Sequence, residues 1–117
     1  MSLRDEILKA DDLRREALQI PEWGITVWVR TMTGAERDAF EESTYRVNGD
    51  NVEVNRKNLR ARLAVLTLCD ESGSRLFGDD ETDLVAKKSS AAVDRIFELA
   101  SRINGISKSD EETLAKN

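Results

Sequence analysis

The sequence predicts an α+β fold that is mainly helical, with an N-terminal β-hairpin packed on a small bundle of helices. Ile25, Val27 and Val29 alternate with Thr26, Trp28 and Arg30 directly after Pro21-Glu22-Trp23-Gly24, so β-branched residues at period two follow a turn carrying Pro and Gly. Val93, Ile96, Phe97, Ala100 and Ile103 recur at the spacing of one helix face. The 117 residues, 39% of them hydrophobic, suffice for one modest core without disulfides or metal, and for no second one.

Each element has its own local cause. Ser2 is placed to cap a short helix with Leu3, Ile7 and Ala10 on one side and Asp5 and Glu6 in the first turn, where acidic side chains oppose the helix dipole. The hairpin follows, with Ile25, Val27 and Val29 on one face and Trp28 and Met32 on the other. Thr33-Gly34-Ala35-Glu36 has capping-box spacing and predicts a surface helix, its thin apolar face made of Ala35, Ala39, Phe40 and Val47. Asn48-Gly49-Asp50-Asn51 breaks the chain, and Val52 and Val54 form a brief extended segment. Asn55 caps the helix expected to be most buried, running to about Leu68 with Leu59, Leu63 and Leu66 as its stripe. Asp70-Glu71-Ser72-Gly73 ends it. Arg75-Leu76-Phe77-Gly78 is extended, and Asp79 caps a short helix bearing Leu84 and Val85. Ser89 or Ser90 caps the last helix, which Asn104-Gly105 closes. The hairpin is expected to pack on helices 56–69 and 90–104. Past Gly105 only Leu114 could dock, so residues 1–105 are expected to form one domain and 106–117 a weakly packed tail.

Composition narrows the function classes. With no histidine and one cysteine, Cys69, the chain cannot build a His/Cys zinc site, a Ser-His-Asp triad or a Cys-His pair. No cofactor, metal or catalytic residue is expected. The first twelve residues mix apolar and charged side chains unlike a signal peptide, and the apolar run 63–69 is too short to span a bilayer, so the expected location is a cytoplasm.

Charge is uneven. Residues 46–62 carry Arg46, Arg56, Lys57, Arg60 and Arg62 against Asp50 and Glu53, whereas 63–83 carry six carboxylates against Arg75 alone. The basic run could contact phosphate, which makes a small DNA-binding regulator the rival reading. A solvated helix face paired with neighbouring carboxylates is the plainer one, because the whole chain has a net charge of −5. Asp70 begins no calcium-loop series, since Ser72 and Ser74 occupy the third and fifth positions. Cys69, ending a leucine stripe, is expected to be a packed thiol. Trp28 lies opposite the aliphatic face of its strand and needs either cover on both faces or a partner.

Over almost its whole length the chain resembles the tail assembly chaperones of long-tailed bacteriophages and prophages. The resemblance rests on Ile20-Pro21-Glu22-Trp23-Gly24 with Val27-Trp28-Val29-Arg30, on Thr33 through Glu41, on Ala61-Arg62-Leu63 through Leu68-Cys69-Asp70, on Leu76-Phe77 ahead of Asp79, and on the helix Ser90 to Gly105. It implies a non-catalytic protein of the host bacterial cytoplasm. Such a protein binds the tape measure protein, helps the major tail protein assemble around it and is absent from the finished virion. It also implies a longer product made by programmed frameshifting near the end of the short frame, and Ala115-Lys116-Asn117 is compatible with a slip sequence there. Self-association is expected; nucleic acid and membrane are not expected as partners. Trp23, Trp28, Met32, Leu76 and Phe77 are the expected partner contacts.

Overall fold

The computed structural model describes residues 2–106. Ser2 and Asp5 form a capping box at the start of α1 (Leu3–Lys9), with the Ser2 hydroxyl accepting from the Asp5 N–H at 3.2 Å. The spacing that predicts this helix gives it no docking face. None of its residues is buried, and Leu3, Ile7 and Leu8 stand in solvent.

β1 (Arg15–Ile20) and β2 (Ile25–Arg30) are the expected hairpin, antiparallel from Arg15 opposite Arg30 to Ile20 opposite Ile25. Gly24 takes φ +66° in the connecting turn, a conformation that an L side chain rarely adopts. A third strand joins on the far side of β2. This is β5 (Leu68–Cys69), which sets Trp28 opposite Cys69 and gives the order β1-β2-β5. The sequence predicts helix as far as Leu68; pairing to a distant strand overrides the local signal. The turn that follows is held by Asp70, whose Oδ1 accepts from the N–H groups of Ser72 and Ser74 at 2.9 and 3.0 Å. Arg75 then bridges back to Cys69.

Leu18, Ile20, Val27, Val29 and Leu68 supply the sheet's part of the core. Ile25, expected beside them, sits at the hairpin tip and is 52% exposed. α5 (Ser90–Ile103) covers the buried face with Ala92, Val93, Ile96, Leu99 and Ala100. Arg95 pairs with Glu22 at 2.8 Å and Arg102 with Glu16 at 3.4 Å, so α5 runs antiparallel to β1. Its end is a Schellman motif: Gly105 at φ +70°, Ile106 N–H to Ser101 C=O at 2.9 Å and Gly105 N–H to Arg102 C=O at 3.3 Å. Ile106 is buried, so packing reaches one residue beyond the expected boundary. The expectations for 107–117 lie outside the described residues.

α3 (Leu59–Thr67) packs against α5 and is buried along most of its length, as its apolar stripe predicts. It starts later than Asn55 because Asn55 is engaged elsewhere. The Asn55 N–H donates to Thr44 C=O at 2.6 Å and its side chain to Ser43 C=O at 3.1 Å.

Those bonds close a second hairpin. α2 (Gly34–Thr44) opens on the predicted Thr33/Glu36 capping box, buries Phe40, and stops at Thr44. β3 (Tyr45–Asn48) then pairs with β4 (Asn51–Val54) through the two-residue turn Gly49-Asp50, with Gly49 at φ +67°. Val47, expected on the apolar face of α2, therefore lies on a strand opposite Val52. Tyr45, Val47, Val52 and Val54 favour extended backbone and share one face, which outweighs the helical spacing. α4 (Thr82–Ala86) follows a 3-10 turn at Asp79–Glu81 and buries Val85 beneath α3.

Candidate partner-binding surface

The five expected contact residues separate into four environments. Alternation sets Trp28 on the sheet face away from Val27 and Val29, between Ala17 and Cys69. The indole is part-buried and lines an open hollow of about 500 Å³ with Leu13, Arg15, Glu71 and Ile103. Met32 is buried in the core, and its N–H donates to Asn104 Oδ1 at 2.7 Å. It borders a neighbouring hollow of about 530 Å³ that shares Leu13 and Ile103 with the first. Trp23 and Phe77 are part-buried side chains that pack on the core, whereas Leu76 is 48% exposed. The structure thus leaves Trp28 and Leu76 accessible and makes Met32 a supporting residue.

A charged cluster holds this region in place. Glu36 accepts from Arg30 at 2.7 Å, from Arg75 at 3.4 Å and, through its other oxygen, from the Thr33 N–H at 2.9 Å. Arg75 also donates to Val65 C=O and to Asp79. The capping-box glutamate therefore ties β2, α2 and the segment after β5 together. Asn104 adds the link to α5, donating to Ala100 C=O while accepting from Met32, and Arg37 donates to Asn104 C=O at 2.7 Å.

The basic segment is also structural. Arg62 donates to Ser43, Thr44, Asn55 and Lys57, binding α3 to both ends of the second hairpin, and burial lowers its pKa. Arg60 pairs with Asp94 of α5. Side chains held this way are poorly placed to follow a phosphate backbone. Cys69 is buried, and desolvation pushes its thiol pKa up, which makes it an inert packing group. Among the described residues no group of three or more Cys, Asp or Glu side chains could hold a metal ion.

Comparison with known proteins shows the family of the chain. The family described as phage tail assembly chaperone matches residues 2–116. The chain belongs to that family. The solved "Structure of bacteriophage HK97 tail assembly chaperone" is similar in fold, with a TM-score of 0.58 and 19% identity over 83% of this chain and 92% of that one. No curated protein matches the chain. No described helix of this chaperone is long and apolar enough to cross a membrane.

The apolar groups most open to solvent were not anticipated as contacts. They are Leu3, Ile7 and Leu8 on α1, Val47 and Val52 on the second hairpin, and Leu84 on α4. Their signal was present: each lies in a short amphipathic stretch too poor in apolar neighbours to be drawn into the core.

Proposed function

We propose that this chaperone binds the tape measure protein in the host bacterial cytoplasm and promotes assembly of the major tail protein around it. It acts without catalysis and leaves before the virion is complete. The observation that carries this reading is the distribution of exposed apolar side chains around a well-packed core. Val47 on β3 at 75% exposure, Leu3 on α1 at 72% and Leu84 on α4 at 53% stand on different elements, separated by charged residues that keep the free protein soluble. Separate small patches suit a protein that must shield a long apolar filament while remaining soluble itself. Trp28, with Trp23, Leu76 and Phe77 beside the packed region, is the proposed anchor, and Met32 supports its strand. Self-association is part of the same reading, because one small domain covers only a short length of filament.

Co-expression with the tape measure protein of the same phage tests this. The wild-type chaperone should keep that protein in the soluble fraction, and Trp28→Ala should reduce the soluble share. A DNA-binding role would instead show as salt-dependent retention on duplex DNA at about 50 mM salt, where none is expected.

A further inference from the structure

The segment from Asp79 to Lys88 carries its charge in two blocks. The acidic block is Asp79, Asp80, Glu81 and Asp83, the basic one is Lys87 and Lys88, and Leu84 stands between them on α4 at 53% exposure. Two of the carboxylates are already answered within the chain, Asp79 by Arg75 at 2.8 Å and Glu81 by the Gly78 N–H at 2.7 Å. Asp80, Asp83, Lys87 and Lys88 are exposed, and no ion pair among the described residues engages any of them. Asp83 meets the Asn58 amide, at 3.5 Å. Val85 packs beneath α3 and fixes the exposed side toward solvent. Asp80, Leu84 and Lys88 are four residues apart, the spacing of neighbours along one side of a helix. The Lys88 N–H still bonds to Val85 C=O at 3.0 Å, so the turn carries through to it. Opposite charges therefore stand at similar distances, roughly 6 Å, on either side of Leu84.

Such a row complements itself. A second copy related by a two-fold axis at Leu84 runs antiparallel, sets Leu84 on Leu84, and brings Asp80 of each copy against Lys88 of the other. Lys87 of each copy then falls between Asp80 and Asp83 of the other, so the two Asp83 carboxylates, which come near the axis, each have a lysine beside them. A parallel pairing would set like charge on like. The hollow of about 240 Å³ beside Lys88 is lined by Arg56 and by Arg60, whose charge Asp94 answers, so that end of the row stays basic. We infer that the segment Asp79 to Lys88 is a contact between two copies of this chaperone, with Leu84 at its centre and charge pairs at its ends. The contact is small. Two such segments bury less than the roughly 1,200–2,000 Å² of a stable interface, which makes it weak, salt-sensitive and readily reversed. A reversible contact suits copies that line up along a filament and then leave it.

The inference rests on the self-association in the proposed function and names its surface. Sedimentation of the full chain at about 1 mM protein and about 50 mM salt tests it. The wild type should associate, and about 0.5 M salt should weaken that association about tenfold. Asp80→Lys with Asp83→Lys makes the unanswered charges all basic, and Lys87→Asp with Lys88→Asp makes them all acidic. Each variant alone should associate about tenfold more weakly than the wild type. The first brings the net charge of −5 closer to zero, so general repulsion would give the opposite result. An equimolar mixture of the two should recover the wild-type association, because each then meets its complement. Unchanged melting would show that both variants are folded. A wild type that stays monomeric overturns the inference and removes self-association with it, while tape measure binding is read separately by co-expression. Association that survives either charge reversal, or a mixture that stays dissociated, overturns the inference and leaves self-association to another surface. Salt-insensitive association of the wild type overturns it without any variant. So does loss of tape measure capture by the variants with association unchanged, since it assigns the row to a tail protein.

Discussion

The chaperone contains two antiparallel hairpins that look alike in sequence and behave differently in space. In β1–β2 the alternating apolar residues lie beneath α5, and Ile20 and Val29 are wholly buried. In β3–β4 the same alternation places Tyr45 and Val54 against the core, but Val47 and Val52 continue outward at 75% and 62% exposure. Alternation makes a strand pair; a covering helix makes it part of the core. An isolated two-stranded hairpin is marginal in water, so β3–β4 depends on its base, where Arg62 and Asn55 grip the ends of α2 and β4. The covered hairpin is part of the core, and the uncovered one leaves Val47 and Val52 open to solvent.

Substitutions should separate the two regions by size of effect. Glu36→Ala leaves the buried Arg30 guanidinium without its carboxylate and should cost about 3–5 kcal/mol in urea unfolding. Ile20→Ala opens a cavity under α5 and should cost about 2–5 kcal/mol in the same measurement. Asn104→Ala removes the acceptor for the Met32 N–H and should cost about 1–3 kcal/mol. The paired change Val47→Ser with Val52→Ser should alter stability by no more than about 1 kcal/mol, two exposed sites each falling within the small range usual for surface positions. A large loss from that pair would mean that the second hairpin is structural after all.

The smallest effect concerns pH. A hydrogen bond from Arg95 holds the Glu22 carboxyl below the ordinary glutamate range, and hydrogen bonds from the Ser72 side chain and then the Ser74 backbone do the same for Asp70. Both folded-state pKa values are depressed. Their stabilisation is therefore present above the unfolded values and fades only as pH falls through the lowered folded ones. A carboxyl titration by NMR should show Glu22 and Asp70 ionised to lower pH than the same residues in an unfolded peptide.

Much of this arrangement was legible in the sequence, and the reasons for the rest are physical. α5 was readable because its periodicity agrees with the Asn104-Gly105 stop, and the first hairpin because strict alternation follows a turn with Pro and Gly, although Ser89 makes no side-chain capping bond. The second hairpin was half-read: Gly49-Asp50 marked the turn and Val52 and Val54 the outgoing strand. Tyr45 and Val47, however, continue a helix with no breaker between, and only the strand opposite draws them into a ladder. β5 is two residues long and exists because β2 offers an edge, which no local pattern encodes. Trp28 was readable as a partner candidate from its place opposite the aliphatic face. Met32 is buried and its N–H is held by Asn104, 72 positions away, a long-range arrangement that no local pattern encodes.

The proposed binding of the tape measure protein is tested by the fraction of that protein left in the supernatant after co-expression and centrifugation, with and without the wild-type chaperone. Most of it should remain soluble with the chaperone and pellet without it. Equal pelleting in both would contradict the account.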